Sequence, residues 1–600
     1  MQLIYLYVKD FRCLHGQSFN FNLNYRFKVV NDELVLEYER TGKMFVDTRR
    51  LFRVDGAKFA SRISNVSVVI GPNGSGKTSL AVLLSKVFSG DIPEGCLAVF
   101  ERNTGDCFEV LQRMDKGVGE FKIAETLASR VKSPPDRPLC NRMVYYSPVY
   151  TPQHPIYGDD RLVYDVSTTA KMRDVKTAFV PDGGAVQSIS PTKTYDFVET
   201  RSILEVLNDK ELKGFFAVVP KGMRIFPSKF TIAHYLGEKY GSLLYENPKE
   251  EIDLQTDTDI EVVRKLVSWS LRSSMFELAF MLFVANTVED CERIAKNRTL
   301  SRRMAFGKEL IGFSVKYAKN PQRTSAEILD FLEKQVEKYG AMDVGSDYYY
   351  GTTTLGVVKG ALGVFRKLND LGIVPTRDCT LGPLYQEAAL HDEKGDVSQD
   401  VLDLIRDHGN SAANMAYLDF ELSPPISSGE SMYISMLGRV VDALRRMRCT
   451  AGNRMPVLLF LDEAETTLHP LWQRGLVYEM IRFCERLTED MDIQIVFASH
   501  SPLLLSDIPD GNVIFLGDED MVRQRTFATN IYELYRRSFI PDNAQMGKFA
   551  EKKVDDIIDK IEKKKPLDDL DCNLVDLTGD ELIRNYLKRR IRVGMSNAAN

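Results

Sequence analysis

Gly71-Pro-Asn-Gly-Ser-Gly-Lys-Thr78 decides the fold of this chain, because it has the G-x-x-x-x-G-K-T spacing of a phosphate-binding loop. An apolar run at residues 68–70 precedes it, and a helical pattern at residues 79–88 follows. Glycines let backbone N–H groups approach phosphates, and a helix N-terminus favours their negative charge. We expect Lys77 to reach the outer phosphates and Thr78 to bind Mg²⁺. The predicted nucleotide contacts are Gly71, Asn73, Gly74, Ser75, Gly76, Lys77, Thr78 and Ser79.

Leu458-Leu-Phe-Leu-Asp-Glu463 is the second half of the predicted site, and it lies far from the first. Its apolar residues indicate a buried strand, and ligands bind where the strands of a parallel sheet end. Asp462 is therefore expected to complete the Mg²⁺ shell, and Glu463 to orient or deprotonate the attacking water. A compact nucleotide kinase needs no such interruption between the two halves.

Two further patterns flank the second half. Residues 426–430 read Ile-Ser-Ser-Gly-Glu before a helical pattern at residues 431–446, and hydroxyls in such a place commonly cap a helix. A strand pattern at residues 493–498 leads to His500, which by itself is typical of a structural histidine. Each pattern alone therefore has an ordinary structural explanation.

Taken in order, these motifs resemble those of ATP-binding-cassette (ABC) ATPases. The Ser-Ser-Gly-Glu turn resembles the signature loop, although Ser428 and Glu430 replace the commonest glycine and glutamine. Residues 465–470 resemble the D-loop, and His500 resembles the switch histidine that senses the γ-phosphate. The resemblance implies ATP and Mg²⁺ as cofactors, with Glu463, His500 and Lys77 as catalytic residues. It adds nucleotide contacts from Ser427, Ser428, Gly429 and Glu430.

The resemblance is closest to the branch of RecF, SMC and the zinc-hook break-repair ATPases, whose head is split by an insertion. It implies an α/β fold: an ABC-type head, with a mixed sheet, helices and a small antiparallel β-lobe, interrupted by a mainly helical domain. Alternation at residues 2–8, 18–22, 25–30 and 34–38 predicts the strands of that lobe. The predicted division is 1–150 and 421–520 for the two halves of the head, 151–420 for the insertion and 521–600 for a helical tail.

The predicted insertion is compact and is not a coiled coil. It contains helical patterns at residues 260–294 and 325–339, but no apolar 3.5-residue repeat persists over several heptads. None of the nine cysteines belongs to a C-x-x-C pair. Both observations argue against the long-armed SMC and zinc-hook proteins, and the second also argues against a zinc ribbon.

Two assignments stay open. Lys9-Asp-Phe-Arg12 resembles the Asn-Phe-Arg segment near the start of RecF and its relatives, which implies that Arg12 lies close to nucleotide or DNA. Arg12 is equally well explained as a surface cation beside Asp10. Gln153 is the candidate for the family's glutamine loop, although no clear strand precedes it.

Two acidic segments follow the switch histidine, but neither predicts a fused TOPRIM nuclease. Asp518-Glu-Asp520 lies in an acidic turn and Asp569-Leu-Asp571 in a proline-flanked linker, so both lack the strand context that such a metal site needs. Tail patterns at residues 529–539, 547–563 and from 579 onward resemble those of RecF-like ATPases of bacterial defence loci. These are the ATPase subunits of Septu, retron-linked Septu-like and PARIS anti-phage systems, and the likeness is poor across the insertion.

This second resemblance implies a sensor or scaffold that pairs with itself head to head, or in a higher oligomer. ATP-dependent dimerisation would then control a separate nuclease or toxin effector. The alternative is a RecF/SMC-like DNA-repair or DNA-maintenance ATPase that binds nucleic acid itself, with phosphate contacts from residues 298–303 or 588–592. The net charge of −6 leaves this open, because a local groove matters more than the total charge.

The composition indicates a large folded protein without a membrane partner. Of the 600 residues, 44% are hydrophobic and 27% charged, enough for a sizeable core. The longest apolar stretch, residues 275–288, is interrupted by Glu277 and Asn286 and is too short to span a bilayer. Residues 1–12 lack the basic start and cleavage site of a signal peptide, so we expect a cytoplasmic protein.

Overall fold

The computed structural model describes residues 2–30, 35–40, 46–54, 62–101, 107–113, 122–123, 131–132, 141–151, 156, 162–177, 200, 203–204, 206–207, 220–237, 252, 257–271, 273–294, 301–341, 348–349, 352–371, 386–392, 396–411, 416–447, 454–487, 490–517, 525–538, 547–563 and 565–596. The chain divides into two compact units, Met1–Ala528 and Thr529–Asn600. Gln153 and residues 518–520, which the sequence analysis singled out, lie outside the described residues.

The strands are β1 (Gln2–Phe11), β2 (Leu14–Asn20), β3 (Tyr25–Val30), β4 (Val35–Arg40), β5 (Ile63–Ile70), β6 (Cys96–Glu101), β7 (Phe108–Arg113), β8 (Lys122–Ile123), β9 (Val131–Lys132), β10 (Arg142–Tyr146), β11 (Val163–Asp165), β12 (Gly222–Pro227), β13 (Tyr348–Tyr349), β14 (Thr352–Thr353), β15 (Gln386–Ala389), β16 (Leu418–Ser423), β17 (Met455–Asp462), β18 (Met491–Ser499) and β19 (Val513–Phe515). The helices are α1 (Thr48–Leu51), α2 (Lys77–Ser89), α3 (Thr168–Thr177), α4 (Lys229–Leu236), α5 (Asp259–Ser270), α6 (Met275–Ile294), α7 (Ser301–Lys319), α8 (Ser325–Gly340), α9 (Thr354–Asp370), α10 (Gln399–Ser411), α11 (Ser428–Arg446), α12 (Pro470–Leu487), α13 (Ile531–Ser538), α14 (Lys548–Glu562), α15 (Asp569–Leu577) and α16 (Glu581–Ser596).

Six strands in the described part of the chain form a central sheet, in the order β11-β10-β17-β18-β5-β19. All of its ladders are parallel. β5 is buried along its whole length, and β17 and β18 nearly so. Such uninterrupted buried strands need cover on both faces, which is the usual condition of a parallel sheet. An α/β sheet of this kind fits a P-loop ATPase, but the predicted mixed pairing is wrong for these strands.

The parallel order brings the two distant halves of the predicted site to one edge. Ser499 at the end of β18 pairs with Ile70 at the end of β5, and Asp462 at the end of β17 pairs with Ala498. The loop after β5 and the carboxylates after β17 therefore emerge at the same edge of the sheet, where ligands bind in such folds.

A second sheet in the described ranges has the order β2-β1-β6-β7-β9, and it buries both of its faces. Alternate residues of β6 show this: Cys96, Ala98 and Phe100 share one apolar cluster with α2, whereas Leu97 and Val99 pack in another with β3. The antiparallel pairs β1–β2 and β3–β4 agree with the prediction. The short pairs β7–β9 and β4–β8 are parallel. The prediction of a purely antiparallel lobe is therefore wrong for these pairs.

Within the predicted insertion, aromatic rings from distant segments form a compact core. Phe280 on α6 lies 5.5 Å from Phe365 on α9, and Phe283 lies 5.6 Å from Tyr417, measured between ring centroids. The predicted bounds 151–420 also include β12 and β15, which form an antiparallel sheet with β16 in the order β15-β12-β16, and β16 extends to Ser423. β11 falls inside the predicted bounds 151–420 but pairs with β10 in the central sheet.

Two details of the insertion differ from the predictions. The helical pattern at residues 260–294 is two helices, because the Ser274 hydroxyl accepts the Glu277 N–H at 3.1 Å and starts α6 anew. In the predicted basic run 298–303, Arg303 is buried and lies 3.5 Å from Asp290, so it is not a phosphate contact. Residues 298–300 lie outside the described ranges.

His408 ties α10 to β16, the strand that precedes the predicted signature turn. Its Nε2 accepts the N–H of Leu418 at 3.1 Å, which joins α10 to β16. Burial lowers the pKa of His408 to about 3, so the imidazole is neutral near pH 7 and keeps a lone pair for this bond. β16, the strand that leads to residues 427–430, is thus held in place by α10.

The unit Thr529–Asn600 contains a small helical core. Ile557 of α14, Val575 of α15 and Leu587 of α16 are buried together. The predicted linker at residues 569–571 is wrong, because these residues begin α15. Asp568 caps that helix together with Asp571, whose carboxylate also accepts from Lys560 Nζ at 2.7 Å. These carboxylates therefore have structural partners.

The described helices include none that is long and apolar enough to cross a membrane.

Candidate nucleotide site

The phosphate loop joins β5 to α2, and two of its glycines have a backbone conformation that favours glycine. Gly76 has a φ of 107°, in the left-handed region that favours glycine, and a Cβ there would lie 2.5 Å from Leu14 Cδ2. Gly74 has a φ of 80°. Because α2 begins at Lys77, the backbone N–H groups of its first turn have no partner within the helix and face the loop, as phosphate binding needs.

Lys77 lies folded back on the loop. Its ammonium group donates to Gly71 O at 2.9 Å and to Pro72 O at 3.2 Å. Burial lowers the pKa of Lys77, and the carboxylates of Glu463 and Asp462 oppose that shift. Both carbonyl contacts can be exchanged for phosphate oxygens without moving the helix.

Thr78 and Asp462, the predicted metal ligands, lie together. Thr78 Oγ1 donates to Asp462 Oδ2 at 3.2 Å, and the hydroxyl of Tyr145 donates to the same oxygen at 3.0 Å. Burial raises the pKa of Asp462 to about 6, and these hydrogen bonds oppose the shift. The second oxygen, Oδ1, is buried and has no hydrogen-bond partner among the described residues. A hydroxyl and a spare carboxylate oxygen suit Mg²⁺, which prefers oxygen ligands.

Glu463 has a strained backbone. Its φ of 52° lies in the left-handed region, which costs a non-glycine residue roughly 1–3 kcal/mol and is common at functional sites. Its N–H donates to Ala498 O at 2.8 Å, so the turn is held by β18. This geometry aims the Glu463 side chain at His500, whose Nε2 lies 3.1 Å from Glu463 Oε1.

His500 connects the two halves of the site. Lys77 Nζ lies 3.4 Å from its Nδ1, on the side of the ring opposite Glu463. Burial, and then the charge of Lys77, lower the pKa of His500. A neutral ring with its proton on Nε2 suits both neighbours, since Nδ1 then accepts from Lys77 while the Nε2–H faces the carboxylate.

Glu465 anchors the D-loop to the switch strand, a role that the sequence motif did not reveal. Its Oε1 accepts from the Ser499 hydroxyl and, at 3.3 Å, from the His500 N–H. Burial raises the pKa of Glu465 to about 7, and these donors oppose the shift. The anchor fixes the backbone on which His500 stands.

The β1–β2 turn touches the phosphate loop. Cys13 Sγ lies 3.3 Å from Ser79 Oγ, and the preceding residue, Arg12, has a φ of 56°. The guanidinium carbon of Arg12 lies 5.7 Å from the centre of the Phe11 ring. Arg12 therefore belongs to a turn beside the nucleotide loop, which is compatible with both explanations left open by the sequence.

The signature turn is a helix cap. The Ser427 hydroxyl accepts the Glu430 N–H at 3.3 Å, and Glu430 Oε2 accepts the Ser427 N–H at 2.9 Å. This is a capping box at the start of α11. Ser427 and Ser428 are exposed, and a Cβ on Gly429 would lie 3.1 Å from Thr467 O of the D-loop. The predicted contacts at residues 427–430 thus form one exposed surface with the D-loop.

Comparison with protein families gives one match. Residues 447–506 match the family described as "AAA domain, putative AbiEii toxin, Type IV TA system". This segment contains Asp462, Glu463 and His500, so the match supports a P-loop-type ATPase, a class that binds ATP and generally uses Mg²⁺. A search of curated proteins gave no match.

Proposed function

We propose that this chain is the ATP-hydrolysing subunit of a bacterial anti-phage defence complex, in which ATP-dependent pairing of two ABC-type heads controls a separate nuclease or toxin. The observation that carries the enzymatic part is the contact of Thr78 with Asp462, which joins the phosphate loop to the carboxylates of β17. The same edge holds Glu463 as a base and Lys77 as a phosphate ligand, which are the parts that hydrolysis of a phosphoanhydride needs.

Each residue has a distinct task in this proposal. Thr78 and Asp462 would hold Mg²⁺, which would neutralise negative charge on the phosphates. Lys77 leaves the Gly71 carbonyl and binds the terminal phosphate. Glu463 accepts a proton from the attacking water. His500 links the phosphate-bound or unbound position of Lys77 to Glu463, because its ring contacts both side chains.

The signature surface completes the site of a second copy. Ser427 and Ser428 are exposed at the N-terminus of α11, where backbone N–H groups favour an anion. In the ABC ATPases that the chain resembles, this surface closes on the ATP of the facing head. ATP then holds the dimer together, and its hydrolysis releases it.

Mixing two inactive variants tests this shared site. We expect Lys77→Met and Ser428→Glu each to abolish hydrolysis alone, the second because a carboxylate would repel phosphate. A mixed dimer has one intact site of two, because Lys77 of the Ser428→Glu copy meets the unchanged signature surface of the other copy. The mixture should therefore recover hydrolysis, at up to about half of the wild-type rate. Phosphate release measures this. A mixture of the two folded variants that stays inactive would contradict a site shared between heads.

Control of an effector rests on two lines of support. The chain resembles the ATPase subunits of anti-phage systems in its C-terminal patterns. The matched family's description connects the AAA domain with a toxin–antitoxin system, which supports a defence role and names no separate effector. We expect affinity purification with ATP, from the native host and with neighbouring genes present, to recover a nuclease or toxin in fixed stoichiometry. Recovery of an ATP-dependent dimer bound to DNA, with no partner protein, would instead favour a maintenance ATPase.

The C-terminal helix supports that second candidate. Arg589 and Arg592 are exposed on α16, and Arg590 donates to the hydroxyl of Tyr586 at 3.1 Å. An exposed basic helix with an aromatic residue suits nucleic-acid phosphates and bases. A DNA affinity that falls steeply with salt is the signature of such binding.

A further inference from the structure

Tyr145 reaches the metal edge from a neighbouring strand. It stands on β10 in register with Phe460 of β17, and its hydroxyl extends to Asp462 Oδ2 at 3.0 Å. The side chain is 2% exposed, and its ring centroid lies 6.1 Å from that of Phe460. Packing against Phe460 therefore fixes where the hydroxyl points, and the carboxylate of Asp462 accepts its hydrogen bond.

This hydrogen bond decides which oxygen of Asp462 is free. Oδ2 accepts from Tyr145 and from Thr78, whereas Oδ1 is buried and has no partner among the described residues. Thr78 is itself a proposed metal ligand, so its hydroxyl oxygen would serve a bound cation. Tyr145 would then remain as a neutral donor to Oδ2, and it would hold the carboxylate in the orientation that leaves Oδ1 free.

We infer that Tyr145 is a positioning residue that sets the affinity of this site for its divalent cation. The inference rests on the proposed function, since it takes Asp462 and Thr78 as the metal ligands. Partners that orient a ligating carboxylate commonly change metal affinity by about 10- to 100-fold. Tyr145 acts through Asp462 and is not proposed to touch the nucleotide.

Tyr145→Phe tests this directly, because it removes one oxygen and keeps the ring that packs on Phe460. Mn²⁺ serves as the probe, titrated by electron paramagnetic resonance in the presence of a non-hydrolysable ATP analogue. We expect the dissociation constant for Mn²⁺ to rise about tenfold or more. The affinity for the analogue without metal should stay unchanged, and high Mg²⁺ should return the rate of ATP hydrolysis to near the wild-type value.

Tyr146→Phe is the matched control. Tyr146 is the next residue of β10, is equally buried and lies by Arg439, whose guanidinium carbon is 5.8 Å from its ring centre. Loss of its hydroxyl should leave Mn²⁺ affinity unchanged, even if the unfolding temperature falls. If Mn²⁺ binding weakens equally in both variants, the cause is the general loss of a buried hydroxyl from β10. That result would overturn the inference.

Asp462→Asn distinguishes a failure of the role of Tyr145 from a failure of the assigned metal ligands. If Asp462→Asn weakens Mn²⁺ binding strongly and Tyr145→Phe binds with wild-type affinity, the role of Tyr145 is wrong and the metal site stands. If Asp462→Asn also binds Mn²⁺ normally, the assignment of the metal ligands itself fails, and the role of Tyr145 fails with it.

Discussion

Glu463→Gln is expected to bind ATP with near wild-type affinity and to hydrolyse it roughly 10²–10⁴ times more slowly. The amide has the same shape as the carboxylate, so the contacts of Lys77, Thr78 and Asp462 are kept. It cannot accept the proton of the attacking water, so the terminal phosphate stays in place. Since ATP holds the proposed dimer together, the variant should accumulate as an ATP-bound dimer. Phosphate release and light scattering with and without ATP measure the two effects.

Glu479→Gln is a suitable control for this change. It makes the same substitution on α12, where the half-buried carboxylate lies 3.2 Å from Arg482. Its rate of hydrolysis should equal that of the wild type. Normal turnover by Glu463→Gln would show that another group accepts the proton, and the role assigned to Glu463 would be wrong.

Lys77→Met should weaken the binding of ATP itself, and the rate of ATP hydrolysis should fall as a consequence. Methionine keeps most of the buried apolar stem of Lys77 but removes the ammonium group. A hydrogen bond to a charged group contributes about 1.5–3 kcal/mol, which corresponds to a roughly 10- to 100-fold rise in the dissociation constant. Isothermal titration with MgATP measures it. No ATP-dependent dimer should form at concentrations that saturate the wild type.

Lys86→Met provides the comparison on the same helix. Lys86 pairs with Asp91 at 2.8 Å, near the other end of α2. Removing this charge should leave ATP affinity unchanged, because surface ion pairs contribute little and this one lies away from the loop. Equal ATP affinity of Lys77→Met and wild type would refute the phosphate-binding role of the loop lysine.

The two variants separate binding from chemistry. Lys77→Met is expected to lose the ATP-bound dimer, whereas Glu463→Gln is expected to gain it. If the proposed effector responds to the dimer, the two variants should have opposite effects on it although both hydrolyse ATP poorly. That contrast distinguishes signalling by ATP binding from signalling by hydrolysis.

Much of the site could be predicted because its parts are encoded locally. The glycine spacing of residues 71–78 and the apolar run before Asp462 each occupy a few adjacent residues, and their chemistry follows from residue type. The Ser427 cap is local as well, since its partner Glu430 lies one helical turn away. Such motifs can be recognised without knowledge of the rest of the fold.

Contacts between strands could not be predicted in the same way. Tyr145 meets Asp462 because β10 and β17 are neighbours in one particular register, and no periodicity in either segment states that pairing. The sequence indicated Glu465 only as part of a motif. Its hydrogen-bond partner, Ser499, lies at the end of β18, which is distant in the chain. The predicted linker at residues 569–571 failed for a related reason: neighbouring prolines and acids suggested a loop, but Asp568 and Asp571 cap a helix that a small core stabilises.

Adjacent residues and burial along one strand are enough to specify the phosphate loop, the two carboxylates after an apolar strand and the long segment between them. The tertiary structure decided the parallel order of the sheet, the place of His500 between Lys77 and Glu463, and the contact of Tyr145 with Asp462. These depend on strand order and register, which are set by packing energies summed over the whole core and so are not carried by any single stretch of the chain.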